Sequence, residues 1–132
     1  MRSLDTNILV RFLVGDDPKQ SQAAREVVED AERRREPLFV SLLVVLELIW
    51  VLESAYDCSR AAVLDALDRL TAMEPLRFEA VERVQEAIRL GRNGSLGLPD
   101  LLIGLTARDL GCETTLTFDK RAARSGLFSP MT

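Results

Sequence analysis

The chain has 132 residues, 47% apolar and 29% charged, an ordinary globular composition for one domain with a real core. Histidine is absent, which excludes Ser-His-Asp and Cys-His nucleophile systems and histidine-ligated zinc; any metal is held mainly by oxygen, favouring Mg²⁺ or Mn²⁺. The net charge of −4 argues against a strong nonspecific grip on nucleic acid, although a bound cation reverses the local charge of an acidic site.

Met1 to Leu4 reads as a short first strand, followed by the turn-forming Asp5-Thr6-Asn7. Ile8 to Val14 reads as a short buried helix, with a continued strand as the alternative. Gly15-Asp16-Asp17-Pro18 stops it and starts another, with Asp17 as N-cap and Pro18 at the first helical position. That helix is predicted to reach about Arg35, with Ala23, Ala24, Val27, Val28 and Ala31 facing inward. No apolar run approaches the ~20 residues of a membrane span. Asp5 and Arg11 make the opening a poor signal peptide.

Leu38 to Val40 reads as a second strand, and Ser41 as the cap of a helix that ends near Tyr56-Asp57. Of the eleven residues Leu42 to Leu52, ten are apolar, and the exception is Glu47 at the centre. So apolar a helix is expected to be buried on most faces, with Trp50 among core residues. A carboxylate there must reach the surface, meet a basic partner, or point into a polar cavity.

Ser59 caps a predicted helix from Arg60 to Met73, with Val63, Leu64, Leu67 and Leu70 at helical spacing. Pro75 to Phe78 reads as a third strand, and Glu79 to Leu90 as an amphipathic helix. The glycine-rich stretch Gly91 to Gly97 lacks the Lys-Ser/Thr of a Walker sequence and reads as a flexible connection. Pro99-Asp100 opens a helix from Leu101 to Leu110, closed by Gly111. Thr114 to Thr117 is a fourth strand, Lys120 to Arg124 a short basic helix, and Gly126 to Phe128 a last strand. Cys58 and Cys112 form no C-x-x-C pair and no metal-ligand spacing, so a reducing cytoplasm is expected. This alternation predicts an α/β fold: a parallel sheet of about five strands with helices on both faces, in one domain.

In such a sheet, ligands bind beyond the carboxyl ends of the strands. Asp5 follows strand one, Asp119 follows strand four, Asp100 opens a helix, and Glu47 lies about two turns into the helix after strand two. Each has a plainer reading. Asp5 and Asp119 suit helix caps, Asp100 suits the positive end of a helix dipole, and Glu47 suits a buried ion pair with an arginine. Together they suit something else. Clustered carboxylates repel, and a divalent cation relieves the repulsion and activates water against a phosphodiester.

Leu-Asp-Thr-Asn-Ile-Leu-Val at the start, Leu-Glu-Leu-Ile-Trp-Val-Leu, Pro-Asp-Leu-Leu-Ile and Thr-Phe-Asp-Lys resemble the PIN-domain ribonucleases, and among them the VapC toxins of type II toxin–antitoxin systems. The resemblance covers the whole chain. It implies a single PIN domain over residues 1–132, a three-layer sandwich that forms homodimers, and Mg²⁺- or Mn²⁺-dependent endonucleolytic cleavage of RNA. Asp5 and Asp100 match the direct metal ligands, and Glu47 and Asp119 complete the catalytic quartet. Thr6, Asn7 and Thr117 match groups that fix the carboxylates. A small VapB-like antitoxin is the implied partner. Leu98-Pro99 departs from the pattern, because an aromatic residue often precedes the third acid.

Other classes fit less well. A phosphoacceptor receiver needs an acidic pair after strand one and a late-strand lysine, and an aspartyl phosphatase shows Asp-x-Asp where this chain has Asp5-Thr6-Asn7. The alternatives within the family are a nuclease of RNA processing and a silent interaction module; retention of all four acids argues against the latter. Arg33 to Arg35 suit the negative end of a helix dipole. Lys120, Arg121 and Arg124 suit either an RNA backbone or a solvated face.

Overall fold

The structure is a computed structural model and describes residues 1–131. Its contacts divide into two compact units, Met1–Val81 and a second beginning at Glu82. The first carries β1 (Arg2–Ser3), α1 (Thr6–Leu13), α2 (Pro18–Arg34), β2 (Leu38–Val40), α3 (Leu42–Ser54), α4 (Arg60–Thr71) and β3 (Leu76–Phe78). Then follow α5 (Val81–Asn93), α6 (Leu98–Asp109), β4 (Thr115–Thr117), α7 (Lys120–Ala123) and β5 (Phe128–Pro130). The fold is α/β with parallel strands, as predicted. The hydrogen-bonded ladders are β1-β2-β3 and β4-β5, rather than one continuous run of five.

In the first unit, Arg2 pairs with Leu38, and Val40 with Phe78, so the three strands end at nearly the same level. Short strands place the cap of the next helix directly at the sheet edge. Ser41 accepts the Val44 N–H at 3.1 Å and starts α3 as soon as β2 ends. Asp17 accepts the Gln20 N–H at 3.1 Å, with Pro18 at the first helical position. α1 packs on α2 and α3, and α3 packs on α4.

Two expectations about helix faces need correcting. On α2 the buried stripe is Ser21, Ala24, Val28 and Ala31, whereas Ala23 is exposed and Val27 half-buried. The apolar pattern was one residue wider than the face that packs. On α3, Val45, Leu48, Ile49 and Leu52 are buried, but Leu43 is 78% and Trp50 65% exposed. Trp50 is therefore not a core residue. Leu43, Glu47 and Trp50 lie at i, i+4 and i+7, on one outward face.

In the second unit, Gly91 is buried within α5, so the first three of the seven residues Gly91 to Gly97 are helix. α6 begins at Leu98, three residues earlier than predicted, which puts Pro99 and Asp100 inside its first turn. Gly104 lets α6 approach the last strand closely: a Cβ there would sit 3.0 Å from Leu127 Cβ and Phe128 Cε1. Arg83 binds Asp109 at 2.9 Å and Arg108 binds Glu86 at 2.6 Å, which ties α5 to α6. The last strand starts at Phe128, because Gly126 turns the chain at φ +85°. Cys58 and Cys112 are free thiols. Among the described residues no helix is long and apolar enough to cross a membrane.

Candidate active site

β1 delivers Asp5 to the sheet edge, where its Oδ1 accepts the Thr6 N–H at 2.8 Å and caps α1. The capping role is thus real. It occupies one carboxylate oxygen; Oδ2 accepts no hydrogen bond among the described residues. Thr6 is only 3% exposed, and its hydroxyl donates to Glu47 Oε1. One threonine therefore serves two acids, Asp5 with its backbone and Glu47 with its side chain. Asn7, expected to help fix Asp5, does not: it is exposed, and its side chain makes no hydrogen bond among the described residues.

Glu47 lies on the exposed face of α3. Among the described residues it makes no ion pair, so the buried Glu–Arg reading is excluded. Its Oε2 accepts no hydrogen bond there either. Glu79, not among the expected site residues, follows β3 directly, much as Asp5 lies just past β1. Its Oε1 accepts the Leu42 N–H at 2.7 Å, and its own N–H donates to Val40 O at 2.9 Å. Glu79 thereby anchors the start of the helix that carries Glu47. An acid directly after an apolar strand was the available signal.

Asp100 is half-buried in the first turn of α6, where the helix dipole favours a negative charge. Gly97, the residue before that helix, supplies no side-chain cap. Among the described residues the Asp100 carboxylate has neither a hydrogen-bond donor nor a cation against it. Asp119 caps α7, its Oδ1 accepting from Arg121 N at 2.8 Å and Ala122 N at 3.4 Å, which leaves Oδ2 clear. Thr117 Oγ1 accepts the Asp119 N–H at 3.0 Å, so Thr117 fixes the backbone of the acid rather than its carboxylate.

Each unit supplies two of the four acids. Among the described residues, no three or more Asp, Glu, Cys or His are grouped as a metal cluster. The donor set nevertheless suits a hard cation. All four groups are carboxylates, each keeps at least one oxygen clear, and none is neutralised by a lysine or arginine.

A model of the PIN domain family matches residues 3–126. The chain is also similar to a VapC ribonuclease of Aquifex aeolicus (strain VF5), 27% identical over 126 residues, which covers 96% of this chain and 93% of that protein. With strands and helices alternating in parallel order and a family match over nearly its whole length, this chain belongs to the PIN domain family.

Proposed function

We propose that this PIN-domain protein is an endoribonuclease of the VapC type, the toxin of a type II toxin–antitoxin pair, and that it hydrolyses RNA with Mg²⁺ or Mn²⁺. The observation that carries the reading is the free oxygen on each of Asp5, Glu47, Asp100 and Asp119, in a chain similar to a ribonuclease throughout. Asp5 and Asp100 would hold the ion. A bound divalent cation supplies Lewis-acid stabilisation of the phosphodiester and lowers the cost of deprotonating water.

The chain's own groups do the rest. Without histidine, a carboxylate is the side-chain base suited to the proton of the attacking water, and Glu47 Oε2 and Asp119 Oδ2 are free oxygens for it. The Thr6 hydroxyl orients Glu47 and the Thr6 N–H orients Asp5, which removes rotamer freedom that binding would otherwise have to suppress. The exposed apolar face of α3, Leu43 and Trp50 beside Glu47, suits a VapB-like antitoxin segment or a second copy of the chain. An antitoxin arginine over these acids would compete with the ion.

The test is incubation of the purified chain with structured RNA and Mg²⁺ or Mn²⁺. Discrete internal cuts that vanish with EDTA, and that fall on stoichiometric addition of the antitoxin, support the reading. Intact RNA under every metal condition overturns it.

A further inference from the structure

Two cavities of the second unit flank α7. One, of about 330 Å³, is lined by Asn93, Ser95, Arg121 and Arg124, with Leu90 and Leu96 among its apolar walls. The other, of about 290 Å³, is lined by Phe118, Lys120, Arg124 and Met131, among others. Arg124 lines both, so the two form a strip across the helix. The strip is basic, although the chain as a whole carries −4: no acid occurs after Asp119, whereas Lys120, Arg121 and Arg124 fall within five residues. Among the described residues these three cations make no ion pair. Phe118 is 86% exposed at one end, next to Asp119.

Phe118 therefore presents an open aromatic face beside three cations. Stacking surface plus cations is how single strands are gripped without sequence readout. We infer that the α7 strip binds single-stranded RNA flanking the cut, with Arg121 and Arg124 on backbone phosphates and Phe118 stacked on a base. A duplex keeps its bases stacked on each other and cannot offer a face to Phe118. The inference rests on RNA being the substrate, as proposed above. It adds the residues that grip that substrate. The Gly94-Ser95 loop closes the arginine cavity, so the stretch that is no Walker loop still borders the phosphate path.

The test measures binding of a fluorescent single-stranded RNA to the full chain in EDTA, where no cleavage occurs, across a range of KCl. Arg121→Gln with Arg124→Gln is expected to weaken binding and to flatten the slope of log K against log salt by about 1.4, two phosphates at ~0.7 each. Phe118→Leu is expected to weaken binding about fivefold or more with the slope unchanged. An abasic ribose-phosphate strand is expected to bind wild type and Phe118→Leu alike. All three side chains are exposed, so the variants fold, which circular dichroism checks. Unchanged affinity and slope in the arginine variant, or duplex RNA bound as tightly as single strand, overturns the inference. Because binding is read without metal, a protein that grips RNA through α7 but never cuts it would sink the nuclease reading and leave this one standing.

Discussion

Thr6 and Glu47, 41 residues apart in the chain, are joined by a hydrogen bond from the buried threonine hydroxyl to Oε1 of the glutamate. The same threonine gives its N–H to Asp5. Thr6→Val keeps the shape and the backbone bond but removes the hydroxyl, which leaves Glu47 free to rotate into water. RNA cleavage is expected to fall roughly 10- to 100-fold, the usual cost of losing a group that orients a ligand. Thr6→Ser, which keeps the donor, is expected to retain most of the rate. Equal rates for Val and wild type would remove Thr6 from the machinery.

Asp119 has two jobs that substitution can separate. Asparagine caps a helix about as well as aspartate, so Asp119→Asn is expected to melt like wild type while losing cleavage. Asp119→Ala is expected to lose cleavage and also about 1 kcal/mol of stability, through the exposed N–H groups of Arg121 and Ala122. Thermal melts and cleavage assays on the two variants read the two roles independently.

Gly104→Ala sets helix propensity against packing. Alanine favours the helix by about 1 kcal/mol. The added Cβ meets Leu127 Cβ at 3.0 Å, an atom too close to the backbone to move aside freely. Overpacking of this kind costs about 1–3 kcal/mol, so the variant is expected to be destabilised, seen as a lower urea midpoint. A raised midpoint would mean that Leu127 and Phe128 yield more easily than their positions suggest.

The ion-pair network of α5 and α6 makes an acid-range prediction. Arg83, then Arg108, hold the Asp109 carboxyl below its ordinary range, and Arg108 does the same for Glu86. Groups with depressed folded-state values bind fewer protons folded than unfolded. Their stabilisation is present above the unfolded carboxylate range, near pH 4, and is lost as pH falls through the lower folded values. Tm is expected to drop as the protein is acidified below about pH 4, and Arg83→Met with Arg108→Met is expected to drop less steeply. The same slope in both would dissociate the network from acid stability.

Much of this was legible in the residues. Caps at Asp17, Ser41 and Ser59 and the apolar spacing of α4 are local signals, and the elements start where they indicate. The outward face of α3 was not legible, because apolar periodicity records what avoids water and does not say whether this chain or another covers it. Glu79 looked like the start of α5, since a cap given to a helix 37 residues away leaves no mark in sequence spacing. The split into ladders of three and two strands was also hidden, because strands of two or three residues carry almost no periodicity.

The proposed chemistry needs Asp5 and Asp100 as ligands of a divalent ion. Mn²⁺ binding to the intact protein, followed by electron paramagnetic resonance or calorimetry for wild type, Asp5→Asn and Asp100→Asn, tests this most directly. A Mn²⁺ site is expected in wild type that weakens about tenfold or more in each variant, because each removes one ligand charge. Wild-type Mn²⁺ affinity in either variant would contradict it.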